Sequence, residues 1–296
     1  MHLIKDYVSE AFEPTLLLAF LCSLVGIAAA ASYGSINLAF SALVVVGAVL
    51  AQMSVNLIND YQDYASGIDR ENTKTKFSGG SALVSTGAVK HRHVLYMGIA
   101  AAVISGLIGI FFAIAVSTVI LLLVVVGAIA IFLYTKYLMR FPLLPEPFVM
   151  FAFSIVGVGS YIVAHGSLTG LGLALFAIVP AGMLGGIALL VNEVPDAEID
   201  KKYGRKHAVI VLSTRRRVSY YYIALMSITY AIVIFGVTAL SLTPFLLLAL
   251  ATFPVIGYVA SGMRAYKNPQ GYEKYMAANV IVIVVYLMLL IVAYSL

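Results

Sequence analysis

Nine stretches of about 20 predominantly apolar residues divide this chain, each the length a helix needs to cross a bilayer. They lie at roughly 15–33, 36–58, 94–115, 117–138, 147–164, 170–191, 219–240, 243–262 and 277–296. The apolar residues leave no strand-like alternation, so the pattern predicts an all-α polytopic membrane protein with nine transmembrane helices. Connections near 34, 116, 166 and 242 are short, so neighbouring helices should form antiparallel hairpins. Two connections, about 61–92 and 192–218, are long. Spans 1–4 and 5–8 read as two related four-helix bundles with a ninth helix added, the whole of 1–296 being one membrane domain.

Charge orients this arrangement. All 18 Lys and Arg fall in the N-terminal segment, in 61–92, 136–146, 192–218 or 263–276, or at their edges, while the alternate connections carry none. Basic loops stay cytoplasmic, so the N-terminus is expected inside and the C-terminus outside. All 13 Asp and Glu lie on the same side, which concentrates the chemistry on one face. With 62% apolar and 10% charged residues and a mean hydropathy of +1.02, an ordinary soluble domain is excluded. Nothing points to nucleic acid. Residues 1–14 lack the features of a cleaved signal, and 3–13 fit an interfacial amphipathic helix. The single cysteine, Cys22, lies within the first span and excludes both a disulfide framework and a thiolate metal site.

Two polar clusters interrupt the pattern where the second and sixth spans end. The first contains Asn56, Asn59, Asp60, Asp63, Gly67 and Asp69; the second contains Asn192, Glu193, Asp196, Glu198 and Asp200. Ionisable groups at membrane depth are functional candidates. Asn56, Asn59, Asp60 and Asp63 are spaced i, i+3, i+4, i+7, and Asn192, Asp196 and Asp200 are spaced i, i+4, i+8, so each set occupies one helix face. Oxygen-only ligands without Cys or His suit Mg²⁺, which pairs a few carboxylates with substrate phosphates. Two facing stripes could hold two or three such ions on a diphosphate. The Asn-x-x-x-Asp unit at 56 recurs 136 residues later.

Basic residues follow each cluster: Arg70, Lys74 and Lys76, then Gly79-Gly80; and Lys201, Lys202, Arg205, Lys206 and His207 around Gly204. Each is a candidate for diphosphate oxygens, and each also satisfies the topology rule alone. Arg215, Arg216 and Arg217 read as topology and headgroup contacts. Tyr220, Tyr221 and Tyr222 read as an interfacial belt. Gly157, Gly159, Gly182, Gly185 and Gly186 would either leave room for an apolar chain or pack helices closely.

The paired motifs resemble those of the UbiA superfamily of intramembrane prenyltransferases, over essentially the whole chain. They read Asn59-Asp60-x-x-Asp63 with Gly67 and Asp69, and Asn192-x-x-x-Asp196-x-x-x-Asp200-x-x-x-Gly204. The resemblance implies Mg²⁺-dependent transfer of a prenyl group from a polyprenyl diphosphate, such as geranylgeranyl diphosphate, to an acceptor in the membrane. It marks Asn59, Asp63, Asp196 and Asp200 as metal-site residues, with Asp60, Asp69 and Asn192 matching some branches. Asn-Asp-Tyr-x-Asp-Tyr-x-x-Gly-x-Asp, Gly79-Gly80 and the Tyr134-Thr135 pair are similar to the 1,4-dihydroxy-2-naphthoate (MenA-like) branch, which implies an aromatic acceptor. Lys136-Tyr137-Leu138 departs from the small residues expected next. The archaeal-lipid branch, acting on geranylgeranylglyceryl phosphate, carries prolines in the stretch that here reads Asn72-Thr-Lys-Thr-Lys-Phe. Within such a mechanism Tyr134 could face an allylic cation, and Lys136, Arg70, Lys74, Lys76, Lys202, Arg205 and Lys206 could reach the diphosphate. A secondary transporter is the alternative of another class, but carriers place acids near the midplane, not at helix ends.

Overall fold

The structure is a computed structural model that describes residues 14–71, 75, 84 and 87–296. Lys74, Lys76, Gly79-Gly80 and the 3–13 segment lie outside the described residues. Within them the chain is helical, in the order α1 (Pro14–Ala31), α2 (Leu38–Ser66), the short α3 (Ile68–Glu71), α4 (His91–Ala115), α5 (Val119–Leu133), α6 (Pro145–His165), α7 (Leu171–Lys202), the short α8 (Ala208–Leu212), α9 (Arg215–Leu240), α10 (Phe253–Arg264) and α11 (Pro269–Ala293). A 3₁₀ segment, Pro244–Thr252, runs directly into α10, begun by a proline whose missing N–H would be unused there. Seven helical stretches are long and apolar enough to cross a membrane among the described residues; α1 and α5 are apolar but shorter. At 15 residues α5 reaches about 22 Å, short of a hydrocarbon core of about 30 Å.

The two longest helices carry the polar clusters. α2 has 29 residues and α7 has 32, lengths of about 44 and 48 Å that overrun the hydrocarbon core by several turns. Their extra length is where Asn56–Asp63 and Asn192–Asp200 lie. The span reading ended these helices near residues 58 and 191; both continue, because the acids turn onto one shared face instead of breaking the helix.

α6 and α7 pack along a glycine seam. A Cβ on Gly182 would enter the Ser154 backbone, one on Gly186 would meet the Glu146 carbonyl and Met150, and one on Gly157 would strike Ile178. α1 closes on the same pair where Gly26 faces the Gly157 carbonyl. These glycines therefore allow close helix approach. Gly159 has only Leu123 nearby, at 3.3 Å from the position of a Cβ. Around the seam one contiguous apolar cluster joins α1, α6, α7, α9, the 3₁₀ segment, α10 and α11. Tyr222 belongs to it: fully buried, its hydroxyl donates to Asn279 Oδ1 at 3.2 Å, so it is no part of an interfacial belt. Tyr220, half-exposed and beneath the guanidinium groups of Arg216 and Arg264, keeps the interfacial character.

Candidate active site

The overrunning ends of α2 and α7 face one cavity of about 460 Å³. Asn56, Asn59, Asp60, Asp63 and Asp69 line it from the first cluster, and Asn192, Glu193, Asp196 and Asp200 from the second. Every candidate metal ligand named from the sequence thus meets in one place. The same cavity also has apolar walls, from Leu18 and Leu21 of α1, Phe153 of α6, and Ile283 and Val284 of α11.

A glycine ends each cluster. Gly67, at φ 89°, caps α2 by donating its N–H to the Tyr64 carbonyl at 3.2 Å. This left-handed turn, easy only without a Cβ, sends the chain into α3 and carries Asp69 back to the cavity. Gly204, at φ 81°, does the same after α7. The Arg205 N–H returns to the Asp200 carbonyl at 3.1 Å, and the Arg205 side chain turns inward with it.

Arg205 joins the two motifs. Its Nη2 donates to Asp63 Oδ1, and its Nη1 to Asp200 Oδ1 at 3.1 Å. Burial works against the guanidinium charge, but the Asp63 and Asp200 carboxylates more than offset it and hold its pKa above the ordinary value. Asn59 is fixed by its amide, which donates to Thr135 Oγ1 at 2.7 Å and to Asp63 Oδ2 at 3.3 Å. Asn56 donates to Thr15 Oγ1 at 2.7 Å while accepting from Gln52 Nε2 at 2.8 Å. Both amides therefore have their orientation set by neighbours. Tyr134, at the end of α5, lines the cavity with its ring stacked on Phe148 at 6.1 Å, and its buried hydroxyl has no hydrogen-bond partner among the described residues.

The other described cations fall elsewhere. Lys136 is exposed and does not line the cavity; its ammonium lies over the Tyr137 ring, 5.3 Å from the centroid. Arg70 lies over Tyr64, and Lys202 pairs with Glu71 at 3.4 Å. Lys206 is exposed, with its backbone N–H bound to the Met139 carbonyl at 2.8 Å. The Tyr203 hydroxyl adds a second bond to Glu71 at 2.9 Å, so α3 and the end of α7 are tied across the site. That hydroxyl, then Lys202, hold the Glu71 carboxyl below its usual value. Thr15, Thr75 and Glu193 also line the cavity. Glu193 was legible only as part of the second cluster, and nothing in the pattern marks Thr15.

The donor set favours a hard cation. Six acids and one cation, Arg205, line the cavity, which no His or Cys lines among the described residues. Such an excess of carboxylate oxygen, beside neutral amide oxygens, suits a divalent ion of the Mg²⁺ class.

Known proteins show the same arrangement of helices. The family model described as the UbiA prenyltransferase family matches residues 19–282. The 1,4-dihydroxy-2-naphthoate octaprenyltransferase of Bacillus subtilis (strain 168) is 27% identical over 233 residues, covering 77% of this chain and 71% of that protein. Among solved structures, a UbiA homolog from Aeropyrum pernix K1 superposes with a TM-score of 0.73 at 21% identity, over 94% of this chain and 98% of that one. A UbiA homolog from Archaeoglobus fulgidus bound to DMAPP and Mg²⁺ gives 0.57 at 16% identity, over 94% and 96%. With its two acidic motifs converging on one cavity and a family match across most of its length, the chain belongs to the UbiA prenyltransferase family.

Proposed function

We propose that this protein transfers a prenyl group from a polyprenyl diphosphate, such as geranylgeranyl diphosphate, to an aromatic quinone precursor within the membrane, releasing diphosphate. The acceptor is a dihydroxynaphthoate. The observation that carries the reading is the mixed lining of the cavity, which joins a metal-suited set of acids and amides to apolar side chains of α1, α6 and α11, as an amphiphile with a diphosphate head and an isoprenoid tail requires. The Bacillus relative's naphthoate activity supports the acceptor. The Mg²⁺ and DMAPP of the Archaeoglobus homolog support the metal and the donor.

Asn59, Asp60, Asp63, Asp69, Asn192, Asp196 and Asp200 would hold Mg²⁺, which when bound would supply positive charge to a departing diphosphate. Arg205, the cation that lines the cavity among the described residues, would exchange its bonds to Asp63 and Asp200 for diphosphate oxygens when the donor binds. The Tyr134 ring faces the allylic carbon and stabilises positive charge there as the C–O bond breaks and its electron pair leaves with the diphosphate. The apolar wall keeps water from that carbon until the aromatic ring supplies the pair for the new C–C bond, after which the substituted ring carbon loses its proton, or its carboxyl group as carbon dioxide, and the ring is restored. Arg70, Lys202 and Lys206 act at the rim, attracting the diphosphate without touching it. The chain forms one membrane domain of nine spans, with α1 and α5 as its shorter members and the cavity open to the cytoplasm. The alternation of basic and uncharged connections supports that orientation.

The test is a panel of acceptors with geranylgeranyl diphosphate: a dihydroxynaphthoate, a monocyclic hydroxybenzoate and geranylgeranylglyceryl phosphate, each with Mg²⁺ and with chelator. Prenylation of the naphthoate, abolished by chelator, is expected. Turnover of the glyceryl phosphate alone would overturn the acceptor; turnover in chelator would overturn the metal.

A further inference from the structure

Behind the motif carboxylates, three side chains from distant parts of the chain meet in the protein interior. Glu146 comes from the first turn of α6, Glu193 from α7 and His207 from the residue before α8. They are 0%, 4% and 0% exposed. One ligating atom from each lies within 4.8 Å of the other two.

Their hydrogen bonds leave a gap of one kind only. His207 Nε2 is 3.1 Å from Asp200 Oδ2. That contact leaves Nδ1 as the ring atom turned toward the two glutamates, 3.4 Å from Glu193 Oε2, a spacing too long and poorly aligned for a hydrogen bond. Glu146 Oε1 accepts from the Ala208 N–H at 2.6 Å, while its Oε2 and both oxygens of Glu193 have no partner. Three carboxylate oxygens and one imidazole nitrogen, all buried and none hydrogen-bonded, therefore converge. Arg205, the nearby cation, is committed to Asp63 and Asp200. Buried groups of this kind are ordinarily satisfied, and convergent unsatisfied acceptors call for an electrophile between them.

The spacing is that of metal ligands. Two ligand atoms each about 2.1 Å from a tetrahedral ion stand about 3.4 Å apart, and His207 Nδ1 and Glu193 Oε2 have that separation. A metal-binding imidazole usually gives its other N–H to a carboxylate, which is the role Asp200 takes here. One imidazole with two carboxylates differs from the all-oxygen set of the cavity, and suits a borderline ion better than Mg²⁺.

We propose that Glu146, Glu193 and His207 bind one divalent transition-metal ion of the zinc type, as a structural centre that borders the Mg²⁺ cavity through Glu193 and uses none of the residues assigned to Mg²⁺. The ion joins the start of α6, the overrunning end of α7 and the start of α8. Through His207 it fixes the side chain of Asp200, so the second motif is held from behind.

Metal analysis of the full chain in detergent tests this. The protein is stripped with chelator, re-equilibrated with Zn²⁺ in excess Mg²⁺ and desalted; about one zinc per chain is expected to remain, with X-ray absorption showing nitrogen and oxygen ligands and no sulfur. Glu146→Gln keeps an acceptor for the Ala208 N–H but removes a charged ligand, and His207→Ala removes the imidazole; each should lower bound zinc to under about a tenth of an equivalent. Asp196→Asn, in the cavity, should keep it. Elution volume and helicity identify a variant that fails to fold, in which case Glu146→Gln and Glu193→Gln decide. The proposal is overturned if the wild-type chain retains no zinc, which would mean a proton shared between the carboxylates. It is equally overturned if zinc survives in folded Glu146→Gln, or is lost in Asp196→Asn.

Discussion

Arg205 Nη2 donates to Asp63 Oδ1 across 142 residues of sequence, and the same guanidinium binds Asp200 Oδ1 at 3.1 Å. One side chain thus joins the first acidic motif to the second. A planar fork can bridge two carboxylates in a way that a lysine ammonium, a point charge, cannot reproduce. Arg205→Lys is expected to lower kcat about tenfold and Arg205→Ala about 100-fold or more, as for removal of a donor to a developing anion. Neither change should raise the Mg²⁺ concentration needed for half-maximal rate, because the variants remove a cation that competes for the same carboxylates. Wild-type turnover in Arg205→Ala would reduce the bridge to a structural contact.

Asp196 gives a cleaner test of the metal than Asp63, whose loss also strips Arg205 of a partner. Asp196→Asn keeps the side-chain shape and removes one negative charge from the cavity. Turnover should fall by about 100-fold or more, with elution volume and helicity in detergent those of the folded chain. Retention of more than about a tenth of the activity would remove Asp196 from the metal set.

The clusters were legible because helix geometry forces i, i+3, i+4 and i+7 onto one face, and a membrane chain has no cheap reason to carry acids there. The cations were not. Seven basic residues near Tyr134 and the two motifs were candidates for the diphosphate, and topology alone explains most of them. Among the described candidates, Arg205 is the one that lines the cavity, placed directly after the left-handed turn at Gly204. Lys136 lies just beyond α5, where the chain turns outward, and its ammonium ends over Tyr137. Glu146 was invisible for a different reason. An acid in the first turn of a helix reads as an ordinary dipole partner, and only the packing of α8 against it reveals complete burial.

Sidedness is tested by single-cysteine labelling. Ser213, before α9, and Ser35, between α1 and α2, are both exposed. Cys22 is buried in α1, so it should stay silent. An impermeant maleimide applied to intact cells should label Ser35→Cys and not Ser213→Cys, and inverted vesicles should reverse this. Labelling of both from one side would break the alternation of basic connections on which the orientation rests.

Glycine packing between α6 and α7 predicts contrasting outcomes at two nearby positions. A methyl at Gly182 would enter the Ser154 backbone, which cannot yield without separating the helices. Gly182→Ala should destabilise by about 1–3 kcal/mol, the usual range for overpacking. At Gly159 the nearest atom is the Leu123 Cδ1, 3.3 Å away, which a rotamer change can move. Gly159→Ala should leave the midpoint close to wild type. Equal effects in thermal melts would show that the seam does not set helix separation.

The tie between Glu71 and Tyr203 sets how exposed the end of α7 is. Glu71 accepts from the Tyr203 hydroxyl at 2.9 Å and pairs with Lys202 at 3.4 Å. Because these partners hold the Glu71 carboxyl below its ordinary value of 4.5, the tie is fully present above that value and is lost as pH falls through the lower folded value. At pH 8 it is intact, and Lys201 and Lys202 are the exposed trypsin sites it restrains. Tyr203→Phe removes the shorter contact while leaving the ring. Trypsin should then cut at Lys201 or Lys202 several-fold faster than in wild type, because cleavage follows the population of the locally opened state. Glu71→Gln keeps an acceptor for Tyr203 but loses the charge that holds Lys202, so its cutting rate should fall between the two. Unchanged cutting in both variants would mean that this contact does not restrain the end of α7.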